Sequence, residues 1–240
     1  MFLLRFYLLL LLFYTTTFSF HITPTFFEQR IDKSGGYQEF VLTNNSTKTQ
    51  RFKVTALPGT GRYNGDSDKW IEYSPKIITI KPQSKSVLKV FIKAPKNTEE
   101  GEYSSFLNFV SVPVPELEKS DGQTVAAAAR MGLDVSIEII GYVGDLKPKL
   151  EIVDIKTSEN SDGKTELAFK VKNNTDKRGV WYNVDVLRGN ENYESMERGR
   201  IGVGKSDEFK MVLKDMKRKD IVGVRLRESS TYEEITKKKM

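Results

Sequence analysis

Apolar and polar residues alternate with a period of two along most of this sequence. The pattern is clearest over residues 52–56, 87–92 and 133–139. Alternation of this kind predicts half-buried β-strands. Turn signals separate the strands, among them Pro58-Gly59, Asn64-Gly65 and Asp162-Gly163. No amphipathic helical pattern exceeds two turns, so the sequence predicts an all-β chain of β-sandwich type.

A weak internal repeat predicts two such sandwiches. The segment VLTNNSTK at 41–48 is echoed by FKVKNNTDK at 169–177, and in both a strand runs into an Asn-Asn turn. Gly144 begins a short connection with Gly and Pro that is typical of a domain boundary. We therefore expect domains at 20–144 and 145–240. The alternative that Asn-Asn turns are simply common in β proteins stays open.

The first nineteen residues have the pattern of a secretory signal peptide. Arg5 precedes an apolar stretch at 6–14, and small polar residues follow at 15–17. The apolar stretch is shorter than the roughly 20 residues that a membrane-spanning helix needs. We expect a signal peptide at 1–19, a mature chain that starts near Phe20 and no stable membrane span. A transmembrane anchor is the weaker alternative.

Charge and composition exclude several classes of function. The chain has 38 Lys and Arg against 32 Asp and Glu, a net charge of +6, and the two signs are interleaved. This favours a solvated surface and no nucleic-acid partner. With no Cys and only His21, most metal sites, thiol nucleophiles and Ser-His pairs are excluded. An exported, Cys-free, Lys-rich chain fits the bacterial cell envelope better than an animal extracellular matrix.

One segment matches the phosphate-binding loop G-x-x-x-x-G-K-[ST]. It runs from Gly199 to Ser206. That loop needs a buried strand before it and a helix after it, whereas 190–198 is polar and 209–213 alternates like a strand. The sequence therefore predicts a hairpin turn here and no nucleotide.

A second segment resembles the start of a calcium loop. Asn64, Asp66 and Asp68 have the right spacing, but Lys69 and Pro75 stand where Gly and Glu are required. We expect no metal, no cofactor and no catalytic residues, and hence no enzyme. A Ser-Lys or two-carboxylate enzyme is an alternative that a sequence alone leaves open.

The segment 113–132 is an unusually long connection between two strands. One interpretation is a mobile surface hairpin. The other is that this loop and the strand after it form an exposed sheet edge, to which a strand of a partner protein adds.

Several of these segments resemble one protein family. The stretch 24–140 is similar to the first domain of the periplasmic pilus-assembly (fimbrial) chaperones, through segments 41–45, 70–82 and 102–108 and through the long loop before the last strand. The resemblance implies two immunoglobulin-like β-sandwich domains in tandem. It also implies donor-strand complementation, in which the last strand of the first domain fills the groove of an incomplete pilus subunit.

The resemblance also implies binding residues. The donor side chains would be the alternating apolar residues Met131, Leu133, Val135 and Ile137. Two basic residues of the family hold the client's terminal carboxylate in the interdomain cleft. The candidates here are Arg30 and Arg130, although Phe26 lies near the first position and the carboxylates of Asp134 and Glu138 near the second.

We therefore predict a periplasmic, non-catalytic chaperone-like protein. Its partner would be an exported pilus- or fimbrial-type subunit with an incomplete β-sandwich. The alternative is a structural or adhesive immunoglobulin-like envelope module that binds a surface protein or a cell-wall polymer.

Overall fold

A computed structural model describes residues 20–61, 63–114, 132–189, 191–213 and 216–240. The predicted signal peptide and the candidate residues Arg130 and Met131 lie outside the described residues. Within these ranges the chain forms β-strands and two short 3-10 helices, at Asp68–Trp70 and Arg218–Asp220. No helix of the described residues is long and apolar enough to cross a membrane.

The first ten strands form one β-sandwich. They are β1 (Phe20–Thr23), β2 (Phe27–Arg30), β3 (Gly36–Asn44), β4 (Gln50–Pro58), β5 (Gly65–Asp66), β6 (Ile71–Ser74), β7 (Ile77–Ile80), β8 (Ser84–Ile92), β9 (Gly101–Ser111) and β10 (Asp134–Val143). One sheet has the order β1-β3-β8-β6, and the other has the order β2-β10-β9-β4-β7, with β5 beside β9. The apolar positions of the alternating strands face inwards from both sheets and form the first core.

The remaining strands form a second β-sandwich. They are β11 (Leu150–Glu159), β12 (Thr165–Asn173), β13 (Val180–Arg188), β14 (Glu191–Ile201), β15 (Ser206–Leu213), β16 (Ile221–Glu228) and β17 (Glu234–Lys239). The sheet β11-β12-β15 packs on the sheet β14-β13-β16-β17 around a separate core. The prediction of an all-β chain with two sandwiches is confirmed.

Asn44 and Asn173, the first residues of the two repeated Asn-Asn turns, have the same role in the two sandwiches. Each side-chain amide nitrogen contacts three backbone carbonyl oxygens, at 2.8 to 3.1 Å for Asn44 and 3.0 to 3.2 Å for Asn173. The acceptors are Lys48, Ile80 and Lys81 in the first sandwich and Arg178, Ile201 and Gly202 in the second. Because each set includes the end of a strand in the facing sheet, each asparagine ties two sheets together.

The segment that matches a phosphate-binding loop is a turn between two sheets. The amide of Lys205 donates to the carbonyl of Gly202 at 3.1 Å, and β15 follows at once. No helix follows the turn, so the geometry of a nucleotide site is missing. The hairpin prediction was wrong, because β14 pairs with β13 and β15 pairs with β12.

Candidate functional site

The strand β10 has a neighbour along its whole length on one side only. Residues Asp134 to Val143 pair with β9. On the other side β2 pairs with Ile139 to Tyr142 and no further. Among the described strands, none lies beside 134–138. This open edge is five residues long, or about 17 Å at 3.3 to 3.4 Å per residue.

The peptide groups of the open edge point outwards in a definite pattern. Leu133 donates its N–H to Ser111 Oγ at 2.8 Å, and its carbonyl accepts from Ser111 N at 2.8 Å, so Leu133 faces β9. Successive residues of a strand direct these groups to opposite sides. The N–H and C=O groups of Asp134, Ser136 and Glu138 therefore point away from β9, where an added strand could pair with them.

The predicted donor side chains lie on the core-facing side of β10. In the register of the sheet, Val135 lies opposite Phe109, and Ile137 lies opposite Leu107. Leu133 is 39% exposed, Val135 is half-buried and Ile137 is only 6% exposed. Leu133 and Val135 are therefore accessible to a partner, while Ile137 already belongs to the first core.

The opposite face of this edge is polar. The side-chain amide of Asn108 donates to Asp134 Oδ1 at 2.5 Å and to Ser136 Oγ at 3.1 Å. These contacts hold the polar side chains on the outer face of the sheet. A one-residue slip would exchange the two faces, so the contacts help to keep Leu133 and Val135 directed inwards.

A cleft of about 910 Å³ separates the two sandwiches next to β2. Phe26 stacks on Trp181 of the second sandwich, with 4.8 Å between ring centroids. Arg30 lines the cleft and bonds Asp32 at 2.6 and 2.9 Å and Asp145 at 3.4 Å. The hydrogen bond from Arg30 lowers the pKa of Asp32. Arg30 is thus already paired within its own chain.

Five ionisable side chains join the sandwiches beside the cleft, which Glu28 also lines. We name them the interdomain ion cluster: Glu28, Glu102, Arg178, Arg200 and Glu228. Glu28 Oε1 lies 2.9 Å from Arg178 Nη2, and Glu28 Oε2 lies 2.9 Å from Arg200 Nε. Arg178 also pairs with Glu228, and Arg200 with Glu102. The Arg178 and Glu28 side chains are 2% and 1% exposed.

The two arginines make further contacts with neighbouring residues. Arg178 Nη1 donates to the carbonyl of Leu146 at 2.9 Å, and its guanidinium lies 3.8 Å from the centre of the Tyr142 ring. Arg200 donates to Tyr63 Oη at 3.2 Å. Burial lowers the pKa of both arginines, but the neighbouring carboxylates outweigh it and leave each pKa above its ordinary value.

The carboxyl of Glu102 in the interdomain ion cluster has a strongly raised pKa. Burial raises the pKa of its carboxyl from an ordinary 4.5 to about 7, with Arg200 opposing the shift and Glu28 adding to it. Its Oε1 accepts a hydrogen bond from the amide of Gly179 at 2.8 Å. The cluster holds three carboxylates against two guanidiniums, which makes full ionisation of all three unfavourable.

No pattern in the sequence singles out these five residues. They lie on four strands and one loop of two sandwiches, with 150 residues between Glu28 and Arg178. The one sequence feature that could have indicated them is a carboxylate next to an apolar strand residue, as at Phe27-Glu28. Among the described residues, no group of three or more His, Asp or Glu side chains is placed to hold a metal ion.

Comparison with known proteins gives a likeness of fold. No family model and no curated protein match the chain. The E. coli chaperone DraB is 13% identical, with a TM-score of 0.47 over 93% of this chain and 96% of that chain. A structure of the Salmonella enterica SafA pilin in complex with the SafB chaperone is 10% identical, with a TM-score of 0.46 over 93% of this chain and 96% of that chain. The Pseudomonas aeruginosa chaperone CupB2 is 13% identical, with a TM-score of 0.44 over 92% and 97%.

Proposed function

We propose that the protein is a non-catalytic, periplasmic chaperone-like protein that binds exported β-rich subunits of pilus or fimbrial type. The client would have an incomplete β-sandwich, and β10 would supply the missing strand. In this proposal residues 1–19 direct export, residues 20–144 bind the client, and residues 145–240 complete the cleft.

The observation that carries the proposal is the open edge of β10. It combines outward peptide groups at Asp134, Ser136 and Glu138 with accessible apolar side chains at Leu133 and Val135. Peptide groups would give affinity and the alternating side chains would give register. Full burial of a Leu or Val side chain contributes about 1.5 to 3 kcal/mol, so Leu133 and Val135 would add apolar affinity to the pairing of the peptide groups. Ile137 would support the edge from the core, and Met131, which lies outside the described residues, is the remaining donor candidate.

Arg30 is the proposed anchor for the client's terminal carboxylate, together with Arg130. A client carboxylate at Arg30 would compete with Asp32 and Asp145. We therefore expect Arg30→Ala to weaken capture less than a change at Leu133 or Val135.

The test is capture of a client from the envelope fraction of the source cells. The tagged protein is compared with a Leu133→Asp, Val135→Asp double variant, and eluates are identified by mass spectrometry. The matched control is Ile77→Asp with Val87→Asp, which changes two other exposed apolar residues of the first sandwich. We expect a stoichiometric exported partner with the parent and the control, and its loss with the double variant. Equal capture by all three proteins would contradict the proposal.

A further inference from the structure

Three basic segments meet at one end of the second sandwich. Lys217, Arg218 and Lys219 form the turn before β16, Lys164 precedes β12 and Lys239 ends β17. Lys239 lies opposite Gly223 in the sheet, and the amide of Met240 donates to the carbonyl of Val222 at 3.0 Å. Residues from all three segments line one groove of about 990 Å³.

This end is remote from the first sandwich. The strand β16 starts at Ile221, beside the basic turn, and ends at Glu228, in the interdomain ion cluster. Seven residues of β-strand span about 23 Å. A partner at the basic end would therefore leave both the cleft and the open edge of β10 accessible.

The charge at this end is strongly positive. Six exposed cations are present, Lys164, Arg188, Lys217, Arg218, Lys219 and Lys239, and we name this set the basic end. Among the side chains that the structure describes, the acidic ones next to these segments are Glu159, Asp162 and Asp220. No ion pair among the described residues involves any of the six cations, which are therefore available to an anionic partner.

Two exposed apolar residues belong to the same end of the sandwich, and one of them, Met240, lines the groove together with Lys164 and the 217–219 segment. Met240 is 51% exposed and Val222 is 37% exposed, and the backbones of the two residues are hydrogen-bonded. Exposed apolar residues surrounded by lysines and arginines are typical of surfaces that lie on anionic bilayers, where the apolar groups reach the acyl boundary. This combination favours a lipid surface over a soluble acidic protein.

We propose that the basic end docks on an anionic lipid bilayer. The six cations contact lipid phosphates, and Met240 and Val222 enter the headgroup layer. This interaction goes beyond strand capture and does not depend on it, because it uses only residues of the second sandwich.

The test is co-sedimentation of the purified protein with vesicles of phosphatidylglycerol and phosphatidylcholine, and with pure phosphatidylcholine vesicles. Two variants probe different segments. The triple variant carries Lys217→Glu, Arg218→Glu and Lys219→Glu, and the double variant carries Lys164→Glu and Lys239→Glu. The control variant reverses the charge of three exposed lysines of the first sandwich through Lys81→Glu, Lys85→Glu and Lys93→Glu. The control and the triple variant therefore have the same net charge.

We expect binding to the anionic vesicles only, and its loss at about 0.5 M salt through screening. The triple variant should bind at least about 100-fold more weakly, since each cation near an anionic surface adds to the attraction. The double variant should also bind more weakly, and the control should stay within about threefold to fivefold of the parent. Absence of binding by the parent, or equal loss in the control, would overturn the proposal. So would retention on immobilised polyglutamate without binding to vesicles.

Discussion

Glu28 and Arg178 pair at 2.9 Å across the junction of the two sandwiches, although 150 residues separate them in the sequence. Both side chains are almost fully buried. Their charges are balanced by each other and by Arg200, Glu102 and Glu228. The orientation of the sandwiches therefore depends on buried charges as well as on apolar contact.

Removal of Arg178 should destabilise the protein strongly. Arg178→Ala leaves Glu28 and Glu228 buried without their cation, and loss of one partner of a buried pair costs about 3 to 5 kcal/mol. The free energy of unfolding, measured with urea, checks this. Arg188→Ala, at an exposed arginine, should change it by no more than about 0.5 kcal/mol. Equal effects of the two changes would show that the interdomain ion cluster contributes little to stability.

Glu102 should make stability depend on pH. Its folded pKa of about 7 lies above the ordinary 4.5, so the folded state binds the proton more tightly than the unfolded chain. Its contribution to stability is complete below about pH 4.5 and is lost as the pH rises to about 7. By linkage the loss is up to about 3 kcal/mol.

The matched measurement is the free energy of unfolding of the parent and of Glu102→Gln at pH 5 and pH 8. Gln resembles the protonated carboxyl but does not titrate. We expect the free energy of unfolding of the variant, relative to that of the parent, to be higher at pH 8 than at pH 5. A difference that is the same at both values would contradict the raised pKa of Glu102.

Asn44 and Asn173 should be equally important in their own sandwiches. Replacement of either by Ala leaves three carbonyl groups without their side-chain donor, and a buried polar group left unsatisfied costs about 1 to 3 kcal/mol. Thermal unfolding followed by circular dichroism checks each variant. Asn174→Ala removes one exposed bond to Glu151 and should have little effect. A destabilisation by Asn174→Ala as large as that by Asn173→Ala would contradict the sheet-tying role.

The sequence predicted the features that local pattern determines. Alternation with a period of two identified the strands, including the apolar row of Leu133 and Val135, because side-chain direction follows from position along a strand. The Asn-Asn repeat likewise predicted two sandwiches. These inferences need no knowledge of which strands are neighbours.

What the sequence did not predict depends on strand pairing. The strands that flank the turn at 202–205 are adjacent in the chain, which predicts a hairpin, yet they belong to different sheets. The interdomain ion cluster was missed for the same reason, since Glu28 and Arg200 approach only after both sandwiches have formed. Ile137 has the alternation of a donor residue, but its side chain is part of the first core, which forms only when the two sheets pack together.

The most direct test of strand capture is amide hydrogen exchange of β10 with and without the client recovered by pull-down. Asp134, Ser136 and Glu138 direct their amides to the open edge, whereas Val135 and Ile137 direct theirs to β9. We predict that the client slows exchange at the first three amides and leaves the other two nearly unchanged. A bound client with no change in exchange at 134, 136 and 138 would contradict strand addition at this edge.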